Sequence, residues 1–403
     1  MRRNAARRAL LSLLLPCLLL PAATSAVTPE QPPLTLHLEE LWRDGGANDD
    51  FMIGLPVEAV ADTDGRVYLA DQQLCRVFVF ERDGQLAGTL SREGEGPGEV
   101  RGPVDVVLLP DGTVGVAEFF PGRLVKLTRD DLPAGEVVID VGRGKTGGFT
   151  IQTMAESAGE HLLVAGSRSV PKERVLERTH FLAMIDQQGR ELVRFTEQIA
   201  EIQRPHSVVH EDDFLPCFPL ASTLGPDGRV YAPRARDRYE VAVYRPDGAL
   251  ERVIERPEFI TWRRDQRDHR RILALFQAWA SPNPETWPEF DLEKTERAIS
   301  ALHIDDRGRL WVQHSRSNRN QPDGVFLTLD LYAPDGRWLR EVSLVCEGNS
   351  ISDGLRFLRD GRVLLIKGFV VARLACLGGS SATFGEDDAA TVEIVCYRLP
   401  AFD

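Results

Sequence analysis

Short apolar runs alternate with polar, glycine-rich turns along most of the chain, and one stretch shows the whole pattern. Val57-Glu-Ala-Val-Ala61 alternates with period two, Asp62-Thr-Asp-Gly65 interrupts it, and Val67-Tyr-Leu-Ala-Asp71 resumes. Arg76-Val-Phe-Val-Phe80 follows and runs into a second turn at Asp83-Gly84. Asp-Gly between alternating apolar runs is a strong hairpin signal, because Gly adopts positive φ and Asp bonds its own backbone. The first turn returns at Asp111-Gly112, Ala158-Gly159, Asp227-Gly228, Arg307-Gly308 and Asp360-Gly361, at intervals of 47, 47, 69, 80 and 53 residues. The second returns at Gln188-Gly189, Asp247-Gly248 and Asp335-Gly336. Six strand–turn–strand units at this spacing predict an all-β six-bladed propeller with insertions.

Two segments stand outside the repeat. Leu34-Thr-Leu-His-Leu-Glu-Glu-Leu-Trp42 alternates like a half-buried strand but precedes blade one, while the last blade ends after its third strand. The N-terminal strand is expected to close blade six and seal the ring. Between blades four and five, residues 257–298 form an insertion. There Ile272, Leu273, Leu275, Phe276 and Trp279 fall at helical spacing, so Arg263 to Ala280 reads as an amphipathic helix ended by Ser281-Pro-Asn-Pro284.

The connection Gly94-Glu-Gly-Pro-Gly-Glu99 leads into Val104-Asp-Val-Val-Leu-Leu109 and a Pro-Asp-Gly turn. Here the chain resembles the bacterial six-bladed β-propeller family related to NHL repeats. The resemblance covers nearly everything after residue 33. It implies the fold and no single activity.

Composition changes the picture in three ways. The formal net charge of −13 argues against nucleic acid as a partner. Residues 1–26 read as an export signal: Arg2, Arg3, Arg7 and Arg8, an apolar run from Ala9 to Leu20, and small residues at Ala23-Thr-Ser-Ala26. Residues 27–33 are then a Pro-rich linker and 34–403 the propeller, expected in the periplasm or outside the cell as a monomer with no transmembrane segment. Five cysteines follow the leader, Cys75, Cys217, Cys346, Cys376 and Cys396. They read either as small buried hydrophobes or as one bridge involving Cys376 with at least one thiol left over.

In a four-stranded blade the tight turns share one face, and the second-to-third loops and blade-to-blade connections share the other. Every long or irregular segment belongs to the second class, so function is expected there. Arginine recurs in those loops: Arg76, Arg123, Arg168, Arg174, Arg178, Arg234, Arg236, Arg238, Arg316, Arg319 and Arg373. Arg234, Arg236, Arg238, Arg316 and Arg168 are the candidates for an anion-binding face, since guanidinium offers a planar donor fork, against the plainer reading of arginines paired within or between blades. Asp71 and Glu118 end second strands and are the candidate carboxylates, although Asp71 also suits capping of its own loop. His206-Ser-Val-Val-His210-Glu-Asp-Asp213 offers ligands for a divalent metal at His206 and His210, and no other cofactor is expected. No Gly-x-Ser-x-Gly, P-loop or dinucleotide fingerprint occurs. These features favour an exported recognition scaffold for a protein, peptide or anionic carbohydrate. The alternative is a propeller lyase or hydrolase with a metal or His/Arg site at the channel mouth.

Overall fold

The computed structural model describes residues 32–46, 52–141, 148–156, 161–203, 208–280, 287–358, 360–379 and 391–402. The leader, His206 and the Ala158-Gly159 turn lie outside them. Two leading strands, β1 (Leu34–His37) and β2 (Glu39–Gly45), precede the blades. Blade one holds β3 (Pro56–Ala61), β4 (Val67–Asp71), β5 (Arg76–Phe80) and β6 (Leu86–Leu90), and blade two β7 (Pro103–Leu108), β8 (Val114–Glu118), β9 (Arg123–Leu127) and β10 (Pro133–Val138). Blade three holds the longer β11 (Gly148–Glu156), β12 (Leu162–Pro171), β13 (Val175–Ile185) and β14 (Glu191–Gln203). After β15 (Val208–His210) and the single turn α1 (Glu211–Phe214), blade four holds β16 (Thr223–Leu224), β17 (Val230–Pro233), β18 (Glu240–Tyr244) and β19 (Leu250–Glu255). Then come α2 (Gln266–Ala280) and β20 (Glu289–Asp291). Blade five is β21 (Ile299–Ile304), β22 (Leu310–His314), β23 (Val325–Tyr332) and β24 (Trp338–Val345). Blade six is β25 (Gly354–Leu358), β26 (Arg362–Lys367) and β27 (Glu393–Arg398), with α3 (Phe369–Cys376) inserted before its third strand.

Each blade is an antiparallel meander, and the first strands face one another around the centre: β25 meets β3, β3 meets β7, β7 meets β11, β11 meets β16 and β16 meets β21. The core is divided among six apolar clusters, each shared by two neighbouring blades. One joins Tyr68 and Val77 of blade one to Val106 and Val116 of blade two. Another joins Leu364 and Ile394 of blade six to Leu69 and Phe80 of blade one, which closes the circle. The chain is a six-bladed β-propeller.

Closure uses the leading segment in two parts. β2 pairs antiparallel with β27 and completes blade six. β1 pairs parallel with β24 and adds a fifth strand to blade five. The single strand expected over Leu34–Trp42 therefore breaks at Leu38, whose amide donates to Val345 O at 2.9 Å. Trp42, buried, stacks on Phe80 of blade one with ring centroids 5.5 Å apart. Gly84, at φ 92°, turns beneath that indole, and a Cβ there would stand 2.5 Å from Trp42 Cγ. Gly248 and Gly336 occupy the same turn in blades four and five and crowd Val193 and Arg252, on the outer strands of the preceding blades. Blade one thus treats β2 as the outer strand of its predecessor.

The helix of the insertion begins at Gln266 because Asp265 Oδ1 accepts from the amides of Arg267 and Asp268 at 2.7 and 2.8 Å, an N-cap. No helix among the described residues is long and apolar enough to cross a membrane. The five cysteines are free. Burial pushes the Cys217 thiol up to about 11 and those of Cys346 and Cys396 up to about 12, so all three stay protonated near neutrality.

Candidate functional site

The loop-rich face is built up by the connections on either side of blade four. β15 pairs parallel with β20, so the segment entering the blade and the one leaving it zip together. Phe214 of α1 packs edge-on against Phe276 and Trp279 of α2, and Phe276 meets Phe290 of β20. Gly379, just past α3, lies against Ala278 of α2, so the insertion reaches the loop of blade six.

A buried charge network fastens this layer. Glu211 Oε1 accepts from Arg236 at 2.8 Å and Arg264 at 3.0 Å, and its Oε2 from Arg264 at 2.6 Å and the Glu293 amide at 3.0 Å. Arg236 also pairs with Asp212, and Arg264 with Glu296 at 3.1 Å. Asp268 of α2 binds Arg319 of blade five at 2.7 Å and accepts from Trp262 Nε1 at 3.1 Å. Burial alone would raise the Glu211 pKa. Arg264 and Arg236 outweigh it and hold the carboxyl at about 2.

The network decides what several predicted site residues do. Arg236 is buried, with its two Nη groups held by Asp212 and Glu211. Named as a candidate for an anion-binding face, it here takes the plainer role of a paired arginine, because the acidic run after His210 folds onto it. Arg238 pairs with Glu240 at 2.9 Å on the surface. Arg316 donates to Ile260 O at 2.6 Å and lies over the Trp262 ring at 5.6 Å. Arg168 donates to Val141 O at 2.7 Å and covers Phe149. Arg234 is exposed. Asp71, fully buried, accepts from the amides of Gly54, Leu55 and Leu74 at 2.7, 3.1 and 2.9 Å. Glu118 does the equivalent work in blade two, taking the Arg101 amide at 2.6 Å and Arg123 Nε at 2.5 Å. Both carboxylates tie a blade connection to a second strand. His210 sits on the surface with Nδ1 2.9 Å from Asp291 Oδ2, while its expected partner His206 is outside the described residues. Among the described residues no three His, Cys, Asp or Glu side chains gather to hold a metal.

Three other arginines of this face make no ion pair among the described residues. Arg178 lies over the Phe214 ring at 4.6 Å and donates to Ser169 Oγ at 3.2 Å. Arg297 donates to Leu215 O at 2.6 Å, and its Nε is buried without a partner. Arg373 of α3 makes no ion pair among the described residues. Burial pushes the pKa of all three below the ordinary arginine value, and Arg236 and Arg356 add to this at Arg297 and Arg373 respectively. Arg178 and Arg373 were among the loop arginines of the sequence. Arg297 was not, because it precedes the first strand of a blade rather than following a second.

Between blades four and five lies a second polar cluster. Asp330 is fully buried and takes Arg256 Nη1 on both oxygens at 2.7 Å. The Tyr332 hydroxyl donates to that of Tyr239 at 3.1 Å, and His314 packs edge-on against Phe259. His314 Nδ1 accepts the Arg316 amide at 3.2 Å, which places the imidazole proton on Nε2, 3.8 Å from Asp330 Oδ2 and without a hydrogen bond. The nitrogen that would serve as a general base is therefore occupied. Replacing Asp330 with Asn is expected to cost about 1–3 kcal/mol, because the half-buried Arg256 would lose its bidentate charge partner. Denaturant unfolding checks this, and a loss well below 1 kcal/mol would show the pair to be dispensable.

No family model matches the sequence, and no curated protein matches it. Solved structures do align. A member of the DUF4221 family from Bacteroides vulgatus is 11% identical with TM-score 0.48, over 90% of this chain and 97% of that one. A gluconolactonase from Xanthomonas campestris is 10% identical with TM-score 0.43, over 92% and 99%. A streptogramin B lyase is 10% identical with TM-score 0.42, over 89% and 98%. At these identities the likeness concerns the fold, and no chemistry is transferred from it.

Proposed function

We propose that this propeller is an exported recognition scaffold whose loop-rich face binds a protein, peptide or glycan through acidic groups on that partner. The observation that supports the reading is the set of guanidinium groups at Arg178 and Arg297, half-buried, and Arg373, exposed, which make no ion pair among the described residues. Desolvating an unpaired charge is unfavourable, so an incoming carboxylate, sulfate or phosphate gains charge-assisted hydrogen bonds at groups whose ordering and dehydration the fold has already met. Among the described residues, carboxylates pair with Arg236, Arg264 and Arg319 and form no ion pair with these three.

The lyase or hydrolase reading gains no comparable support. Asp71, Glu118 and His314 Nδ1 are each occupied by backbone amides. A divalent metal at His206 and His210 remains a separate proposal that the described residues do not reach.

The test is retention on immobilised heparin and on poly-glutamate at low salt. The Arg178→Gln/Arg373→Gln double variant should bind about tenfold more weakly or worse, as expected for losing two charge-assisted contacts. Arg245→Gln, on the opposite face, should bind like the parent. Equal retention of the double variant and the parent would overturn the proposal.

A further inference from the structure

The β4–β5 turn of blade one carries a cysteine where its counterpart in blade two carries glycine. Asp71-Gln-Gln-Leu-Cys75-Arg76 and Glu118-Phe-Phe-Pro-Gly122-Arg123 have the same length, and each begins on the carboxylate that ties down a blade connection. The residue before the arginine adopts positive φ in both, 81° at Gly122 and 52° at Cys75. Left-handed backbone suits glycine and disfavours a side chain, so the geometry of the turn does not call for cysteine. Within the turn the thiol contributes a weak hydrogen bond to Gln72 O at 3.6 Å.

Helix α3 lies against this turn. Its Phe369 and Ala372 pack on the cluster that contains Cys75, and on the adjoining cluster beside Leu74. Positions 369, 372 and 376 follow one stripe of a helix, so Cys376 faces the same way one turn further on. The Cys376 thiol is close enough to Asp71 and Cys75 for each to add to the upward push that burial gives its pKa, with Arg373 opposing them. Cys396 belongs to the second of those clusters but is fully buried within β27, between β26 and β2, so its thiol packs inside the blade.

Cys376 is exposed and Cys75 buried, and both are free in this structure. Bringing the sulfurs together takes a short movement of α3, for which Gly368 and Gly378, at φ 72° and 76°, are the pivots on either side. Beyond them Gly379 lies against Ala278 of the insertion, so α3 reaches from blade one across the loop-rich face to the connection after blade four.

We propose that Cys75 and Cys376 form a disulfide that fastens α3 to blade one. An external disulfide exchanges first with the exposed Cys376, which releases one thiol and leaves a mixed disulfide. Cys75 then displaces the second thiol and closes the bond. The two S–H protons and two electrons of the cysteines leave with the oxidant, which departs as two thiols. The bond is independent of the anion-binding reading given for the arginines at 178, 297 and 373.

The test is to incubate the purified chain with oxidised glutathione, alkylate the remaining thiols, and digest with trypsin and Glu-C. Mass spectrometry should find residues 67–76 cross-linked to residues 374–385, apart from the fragment that holds Cys396. Thiol titration of the unfolded chain should show two fewer thiols than in a dithiothreitol-treated sample. In the folded chain, tryptic cleavage after the exposed Arg373 should slow about tenfold on oxidation. Cys376→Ser should lose the cross-link and the slowing, and so should Cys75→Gly, which copies Gly122 and relieves the turn. An unchanged thiol count, a bridge from Cys376 to Cys396, a bridge joining two copies through Cys376, or equal cleavage of oxidised and reduced parent would each overturn the proposal. If one variant fails to fold, the other decides.

Discussion

Replacing Glu211 with Ala should destabilise the protein by about 3–5 kcal/mol, the usual consequence of removing one member of a buried ion pair. Glu211 is 3% exposed and receives hydrogen bonds from two arginines and the Glu293 amide, so its loss removes the carboxylate they share and leaves Arg236 only Asp212 and Arg264 only Glu296. Denaturant unfolding would measure the loss. Limited proteolysis would locate it, since residues 257–298 should become the first segment cut. The same carboxylate sets a pH dependence. Its pKa falls from about 4.5 in the unfolded chain to about 2 in the fold. The stabilisation is therefore complete above the unfolded value and is lost as pH falls from about 4.5 towards 2. Acid titration of the parent should release the insertion across that window, whereas Glu211→Gln should show much less change there. A parent that keeps its protection from proteolysis to the bottom of the window would refute the assignment.

Removing residues 34–45 should have the larger effect. Blade six would lose its outer strand and blade five its parallel fifth strand. Trp42 would leave the cluster it shares with Phe80, Leu364 and Ile394. Two sheet edges would then be exposed, and unpaired edges invite association. The truncated chain is expected to be aggregated or oligomeric in size-exclusion chromatography, and a soluble monomer with parental circular dichroism would refute the closure argument. Trp42→Ala isolates the packing part, with an expected loss of about 3–5 kcal/mol for deleting a buried indole.

The blades were legible in the sequence because their signal is local. Asp-Gly at Asp64-Gly65, Asp111-Gly112 and Asp227-Gly228 needs only its neighbours to turn, and all three glycines adopt positive φ. Closure was legible from counting strands, but the break at Leu38 was not. Alternation runs unbroken through Leu34, Leu36 and Leu38, and only the geometry of two adjacent sheets tells the chain to change partner there. Helix α3 was missed because Phe369-Val-Val-Ala372 reads as strand in isolation. The site was the least legible part. Arg236 and Arg373 look alike as loop arginines. What separates them is that Glu211 and Asp212, some 25 residues upstream of Arg236, fold onto the first, while no carboxylate among the described residues pairs with the second. The arginine partners of Glu211 and Asp212 were not legible for the same reason: they lie far away in sequence.

The two-part leading segment also governs how the ring carries tension. Glu39 sits opposite Arg398, so a pull separating these two ends would enter β2 and β27 at one extremity and peel them apart a bond at a time. The parallel register of β1 on β24, from Leu34 opposite Val342 to His37 opposite Val345, lies upstream of that weak point. A load on the leading end must therefore strip β1 from blade five before it reaches the seam, so the neighbouring blade serves as a strain relief for the joint.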